Sequence, residues 1–308
     1  MKFRRVEAEK MVLVKMHGGW VTRCFVCCSK SPRFVLSPAE AGCILLQSGC
    51  HQKPREWSLD VFKNIEEEIA GSNDIHSIIP VFSNQVLERA YRFALKKMGW
   101  INKRYVIEKA FLYAPLAFTG SEIYLDGYWQ SYKHFAGNDD LVRQAFDLSN
   151  LEKNLSLQPM INEIRQTTSV SLHVRRGDYI TNLRTNKFNG VCSPGYYYKA
   201  IAYIRQAVNE KLKIFIFSDD IEWCKKNMAA VNDDHIFVNK GKDASDLYLM
   251  SICRHNIIAN STFSWWAAWL NTNQQKIVVA PKRWHSGLKG DTDDLLPGEW
   301  IKMDESVT

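Results

Sequence analysis

Two adjacent arginines, a glycine and an aspartate are the residues of this chain best suited to chemistry. They are Arg175-Arg-Gly-Asp178, within Ser169-Val-Ser-Leu-His-Val-Arg-Arg-Gly-Asp-Tyr-Ile180. Guanidiniums are permanently charged, planar donors, and two side by side form a fork that suits a phosphate or pyrophosphate. Val170, Leu172 and Val174 make the preceding run apolar, which reads as a buried strand. In an open parallel α/β sheet, ligands sit beyond the carboxyl ends of the strands. Gly177 lets the backbone come close to a ligand. A solvated strand end is the plain alternative for an Arg-Arg pair taken alone. An adhesion tripeptide, Arg176-Gly177-Asp178, is a third reading, and the strand context argues against it.

Two further strand ends strengthen the phosphate reading. Lys213-Ile-Phe-Ile-Phe217 reads as a fully buried strand closed by Ser218-Asp219-Asp220, with a helix from Ile221 to Asn227. Those carboxylates either cap that helix or accept hydrogen bonds from a ribose hydroxyl or a guanine edge. Asn256-Ile-Ile-Ala259 reads as a short strand turning at Asn260-Ser-Thr-Phe-Ser264 into a helix. Ser261, Thr262 and Ser264 bring hydroxyls to that helix start, where unpaired backbone N–H groups favour an anion. Cationic, anionic and hydroxyl-bearing ends together describe a nucleoside-diphosphate site. Neither a Walker lysine loop nor a Gly-x-Gly-x-x-Gly turn is present, so arginines stand where a metal otherwise stabilises a departing diphosphate.

The elements that position these groups read as an α/β chain. At 308 residues it is long enough for two domains, with 46% hydrophobic and 24% charged content typical of a soluble protein. A net charge of +7 permits an anionic substrate or membrane surface, and no long Lys/Arg block points to nucleic acid. No apolar run approaches the ~18 residues of a membrane span. Glu7, Glu9 and Lys10 break the apolar core a signal peptide needs, so a cytoplasmic location is expected, with peripheral contact at the membrane's inner face.

Met11-Val-Leu-Val-Lys-Met-His-Gly-Gly19 reads as a strand running into a glycine turn. Residues 84–98 read as a basic amphipathic helix whose apolar side faces the core, although a basic face also suits a membrane surface. Tyr105–Ile107 reads as a strand, and Ile123–Phe135 as an extended segment with a polar, aromatic tail. Gln130, Lys133 and His134 among aromatics at a strand end suit a sugar, whose ring faces stack on aromatic planes; burial in the core is the alternative. Residues 138–168 read as helical, with the domain change near 150. Helices are expected over Tyr198–Glu210 and Asp246–Cys253, and a last strand, Lys276–Ala280, stopped by Pro281. Trp265, Trp266 and Trp269 read as core.

Five of eight cysteines fall between residues 24 and 50, while Cys192, Cys224 and Cys253 are scattered as reduced structural thiols. Through residues 20–55 neither a helical nor a strand period persists, and no regular structure is expected there. Cys24, Cys27, Cys28, Cys43, Cys50 and His51 tempt a zinc reading, but their spacing matches no regular knuckle. No metal site is expected.

Several motifs in order carry a resemblance over roughly residues 57–303. His173-Val-Arg-Arg-Gly-Asp-Tyr179, Phe217-Ser-Asp-Asp220, Asn260–Asn271, Tyr124–Phe135 and Pro297-Gly-Glu-Trp300 are similar to the motif set of bacterial α-1,2-fucosyltransferases, glycosyltransferase family 11. The resemblance implies a GT-B-like fold, two Rossmann-like domains facing a cleft. It implies residues 1–10 as an extension, 11–150 as an acceptor-side domain and 151–308 as the domain binding GDP-β-L-fucose. The implied reaction is inverting, metal-independent transfer to the 2-hydroxyl of a galactoside-terminated glycan, of O-antigen or capsule type. Arg175 and Arg176 are implied on the diphosphate, with Asp178 as their catalytic companion. His173, Ser218, Asp219 and Asp220 are implied on the nucleoside side, and Asn260, Ser261, Thr262 and Ser264 near the phosphates. For the base, Asp178, His173, Asp126 and His134 all stay open.

The family also begins with a strand followed by Gly-Gly-Leu-Gly-Asn-Gln-Met-Phe, where this chain has Gly18-Gly19-Trp-Val-Thr-Arg-Cys-Phe25. Writing Leu-Gly-Asn-Gln-Met-Phe in ordinary codons and dropping the first base yields Trp-Val-Thr-Arg-Cys. Residues 20 to about 56 therefore read as a frameshifted translation. This predicts a weakened N-terminal half and impaired transfer, with a nucleotide-sugar-binding protein as the alternative function.

Overall fold

The computed structural model describes residues 11–16, 43–47, 61–64, 68–69, 86–87, 90–91, 93–94, 105–108, 113 and 122–126, then 129–304 apart from 229–230, 232, 239–240, 242 and 287–292. The chain divides into two compact units, Met1–Asp147 and Leu148–Thr308.

In the first unit, β1 (Met11–Met16), β2 (Cys43–Gln47), β3 (Glu68–Ile69), β4 (Tyr105–Ile107) and β5 (Glu122–Asp126) form one sheet, in the order β3-β2-β1-β5-β4. Every pairing in it is parallel. The strand expected from Met11 is present. Of the stretch expected to lack regular structure, Cys43-Ile-Leu-Leu-Gln47 pairs with β1 from Val12 to Met16. Four apolar residues and a glutamine are too brief a run to set a period across a long window, so pattern reading passed over them. The other positions of the frameshift and zinc readings lie outside the described residues.

Residues 86–87, 90–91 and 93–94 are helical, as expected. Val86, Leu87 and Phe93 are, however, 69%, 54% and 66% exposed, which corrects the expectation that this apolar side packs on the core. Helix α1 (Asp139–Ala145) closes the unit, with Phe146 edge-on to Phe62 at 5.0 Å between ring centres.

The second unit contains β6 (Thr168–Val174), β7 (Leu212–Ser218), β8 (Asp234–Phe237), β9 (His255–Ile257), β10 (Val278–Pro281) and β11 (Ile301–Met303). Their order is β11-β10-β9-β6-β7-β8, again all parallel. Its helices are α2 (Gln158–Gln166), α3 (Gly177–Thr181), α4 (Leu183–Asn189), α5 (Pro194–Val208), α6 (Ile221–Asn227), α7 (Asp243–Ser251) and α8 (Thr262–Leu270). The expectation of an α/β chain holds.

Strand β6 is buried on both faces. Val170, Leu172 and Val174 join Tyr196, Tyr197, Ile201 and Ile204 in the hydrophobic core. The alternate residues Ser169 and Ser171 are buried polar groups and find partners: Ser169 Oγ accepts from the Arg254 N–H at 3.1 Å, and Ser171 Oγ from Asn256 Nδ2 at 2.7 Å. A buried polar face is tolerable only when satisfied in this way. The tryptophans are core, as expected, and Trp265 Nε1 donates to the Leu295 carbonyl at 3.0 Å. Trp300, of the closing motif, packs on Trp265 at 5.4 Å between ring centres.

Some element boundaries differ from expectation. Helix α5 starts at Pro194 rather than Tyr198, because Ser193 caps it by accepting from the Tyr196 N–H and Pro194 fits its first turn. Pro281 is the last residue of β10 rather than its stop. Strands β8 and β11 were not foreseen; each is short and half-exposed, without an apolar run to mark it.

Candidate functional site

The order of the second sheet sets the site. The chain runs outward from β6 to β7 and β8, then returns to lay β9 on the other side of β6. Ligands of open parallel sheets bind beyond the carboxyl ends of the two strands where the order reverses. The loop after β6 carries Arg175 and Arg176, and the loop after β9 carries Asn260 and Ser261.

The β6 and β7 ends are tied by three polar contacts. Asp219 Oδ1 accepts the backbone N–H of Arg176 at 2.8 Å, and its Oδ2 pairs with an Arg175 Nη at 2.9 Å. Arg175 also pairs with Asp178 at 2.6 Å. Asp220 Oδ2 accepts from Arg176 Nε at 3.2 Å. The other oxygen of Asp220 caps α6, accepting from the Trp223 N–H at 3.1 Å. Its own N–H goes to Ser218 Oγ at 2.9 Å, which fixes the turn. Asp220 therefore acts both as helix cap and as arginine partner.

The two arginines are not equivalent. Both Nη groups of Arg175 are engaged by carboxylates, and its guanidinium lies 5.5 Å from the centre of the Tyr179 ring. Arg176 spends Nε on Asp220 and lies over the Trp223 ring at 3.9 Å, a cation–π contact that holds its plane. Its Nη atoms have no partner among the described residues, so Arg176 presents the open half of the fork.

His173 occupies the penultimate position of β6, 5% exposed, with its ring 5.5 Å from that of Phe263 at the start of α8. Burial, reinforced by the charge of Arg175, pushes its pKa down to about 3. The imidazole is neutral at any physiological pH and is a poor base. Its Nδ1 is buried without a hydrogen-bond partner among the described residues. Tyr179, pushed up to about 12 chiefly by burial, keeps its phenol proton and donates it to the Asn260 carbonyl at 3.2 Å. That bond connects the β6 loop to the β9 loop.

At the β9 end the hydroxyls separate in role. Ser261 caps α8, accepting from the Phe263 N–H at 3.4 Å. Ser264 is buried and donates to the Ser261 carbonyl at 3.2 Å, so it serves the turn itself. Thr262 is half-buried at the mouth of the helix. Asn260 is buried, and its Nδ2 donates to the carbonyls of Asn189 at 2.9 Å and Trp284 at 3.2 Å. It stitches three loops together.

The structure thus joins Arg175, Arg176, Asp178, Ser218, Asp219 and Asp220 in one contact network, with Asn260 linked to it through Tyr179. His173 lies in the field of Arg175 and Asp219 and is linked to Ser261 through Phe263. Sequence reasoning did not single out Trp223, Tyr179 or Phe263. An aromatic at the third position after Asp220, on the helix it caps, was the available signal for Trp223. The other base candidates, Asp126 and His134, belong to the first unit.

Comparison with known proteins adds the following. The profile described as Glycosyl transferase family 11 matches residues 73–304. An Escherichia coli alpha-1,2-colitosyltransferase is 34% identical over 73% of this chain and 77% of its own length. The Escherichia coli O-antigen biosynthesis glycosyltransferase WbnK is 42% identical over 58% of this chain and 60% of its own. A Bos taurus galactoside 2-alpha-L-fucosyltransferase, SEC1, is 31% identical over 49% of this chain and 43% of its own.

Proposed function

Since the chain belongs to glycosyltransferase family 11, we propose that it transfers L-fucose from GDP-β-L-fucose to the 2-hydroxyl of a galactoside within a bacterial surface glycan. The observation that carries the reading is the open Arg176 fork, held by Asp220 and Trp223 at the carboxyl end of β6. Relatives named for α-1,2-colitosyl transfer, O-antigen biosynthesis and galactoside 2-α-L-fucosyl transfer support the linkage and the acceptor class.

In the proposed reaction the acceptor oxygen bonds to the anomeric carbon as the bond from that carbon to the β-phosphate oxygen breaks. GDP leaves with the electron pair, the hydroxyl proton passes to a base, and the configuration inverts. Charge then grows on the β-phosphate, where pre-placed guanidinium donors are worth most. Arg176 supplies them directly. Arg175, locked between Asp178 and Asp219, contributes its field and holds the loop. Arginine in this role makes a divalent cation unnecessary. His173, neutral and buried, offers a hydrogen bond without a charge. Inner-membrane proximity and a cytoplasmic location belong to the same proposal, since a surface-glycan acceptor is assembled there.

The experiment is a transfer assay with GDP-fucose and lactose, with EDTA present. An α-1,2-fucosylated product and stoichiometric GDP release are expected. GDP binding without product would favour a nucleotide-sugar binder, a reading to which the departure at Trp20–Phe25 lends weight. Product from a colitose donor alone would reassign the sugar.

A further inference from the structure

The first sheet has its own reversal point. The chain runs outward from β1 to β2 and β3, and then β5 lies against the other side of β1. Ligands of parallel sheets gather beyond the carboxyl ends at such a point. The segment that follows β5 there is Trp129-Gln-Ser-Tyr-Lys-His134, in a part of the chain to which the donor site assigns no role.

Three independent features mark this segment. Trp129 has φ of 50°, the left-handed region that a bulky side chain rarely adopts. Strain of this kind persists only where its surroundings enforce it, and it concentrates at binding sites. Next, Trp129 and Gln130 are 2% and 9% exposed, yet Trp129 Nε1 and Gln130 Oε1 have no hydrogen-bond partner among the described residues. A buried donor and a buried acceptor on adjacent residues, both neutral, carry a desolvation cost that a ligand can relieve. Last, the rings of Trp129 and Tyr113 flank His134 at 5.5 and 5.1 Å between centres, and Lys133 Nζ stands 6.0 Å from the centre of Tyr113. Ser131 fixes the turn, accepting the Lys133 N–H at 3.3 Å.

The geometry points to a carbohydrate subsite at Trp129–His134 that receives the galactoside end of the acceptor. A sugar hydroxyl both donates and accepts, so a pair of them satisfies an indole N–H and an amide carbonyl together. The apolar face of a pyranose stacks on aromatic rings. Phosphate fits poorly, since Gln130 Oε1 is an acceptor and repels an anion. The inference rests on the proposed transferase reading and deepens it on the acceptor side. Its rival is an ordered water bound to the same two atoms.

The test uses the full chain, lactose as the probe and GDP as the control ligand. Trp129→Phe keeps the ring and deletes the N–H; Gln130→Met keeps the length and deletes the carbonyl. Each is expected to weaken lactose binding, read by saturation-transfer NMR, by about fivefold, the worth of one neutral hydrogen bond. GDP affinity is expected to stay unchanged in both. In the unmutated chain with isotopically labelled indole nitrogens, lactose is expected to move the Trp129 indole resonance. That reading needs no variant, so it decides even where one does not fold. A Trp129 resonance indifferent to lactose, or lactose affinity unchanged in both variants, overturns the subsite and leaves the water. Loss of GDP binding in the unmutated chain strikes the donor reading instead, and the indole shift still decides this one.

Discussion

The Cβ that Gly177 lacks would lie 2.5 Å from Oδ2 of Asp219, the oxygen that pairs with Arg175. This glycine is required by space, since its φ is not in the left-handed region. Alanine at 177 must displace a short carboxylate that is held on both oxygens. Gly177→Ala is expected to break the Arg175–Asp219 pair and let the β6 loop drift from the β7 loop. GDP affinity should fall about tenfold, the scale of one charge-assisted contact, by calorimetric titration. Urea unfolding should change by only ~1 kcal/mol, because the contact is at the rim of the unit rather than in its core.

Arg176 and Arg175 should respond differently to the same substitution. Arg176→Lys removes the fork and the planar stack on Trp223, so GDP affinity is expected to fall ~30-fold, about 2 kcal/mol. Arg175→Lys retains a charge between two carboxylates and should cost less than half of that free energy. Equal losses would mean that both guanidiniums face the diphosphate.

Trp223→Leu preserves apolar volume beside Arg176 but removes the ring face. A cation–π contact at a partly buried site contributes ~1 kcal/mol. A severalfold rise in the GDP dissociation constant is therefore expected, with α6 still capped by Asp220. Circular dichroism unchanged from the parent would separate this from loss of the helix.

How much of this was legible in the sequence follows from what each element is made of. β6 and β7 are buried on both faces, so their apolar runs named them and their polar ends named the site. Asn260 and Ser264 looked like ligand groups because polar residues at a strand-to-helix turn usually are. Asn260 instead bonds carbonyls of loops distant in sequence, at Asn189 and Trp284, and Ser264 turns inward onto the Ser261 carbonyl of its own turn. For Asp219 and Asp220 the sequence left a helix cap and a nucleoside contact open; Asp220 does cap α6, and the pairing of both carboxylates with the arginines was not foreseen. Spacing along one chain does not carry such pairings. The reversal of strand order in each sheet also depends on which strands meet.

Asn260→Ala tests that stitching role. It leaves the Asn189 and Trp284 carbonyls without a donor and removes the acceptor of Cys192 Sγ, 3.7 Å away. Orphaned buried groups cost about 1–3 kcal/mol each, so a loss near 3 kcal/mol in urea unfolding is expected. Thr262→Ala, at the half-buried mouth of α8, should leave stability within about 0.5 kcal/mol.

The buried imidazoles set a pH dependence with a definite sign. His173 falls from 6.5 to about 3 on folding, and His285, half-buried beside Asn189 and Phe188, from 6.5 to about 4. Both are depressed, so the unfolded chain binds more protons between these values and its own pKa. Stability from this source is complete above pH 6.5 and is lost as pH falls toward 3 or 4. At about pH 5 the His173 contribution alone amounts to roughly 2 kcal/mol lost, and His285, whose folded value also lies below pH 5, adds a loss of about the same size. Titrating carboxylates also act in this range, so the measurement is a difference. Urea unfolding of the parent and of His173→Asn at about pH 7 and pH 5 should show the variant losing about 2 kcal/mol less over the interval. An equal loss in both chains would mean that His173 takes up its proton in the folded state, and with it a charge beside Arg175.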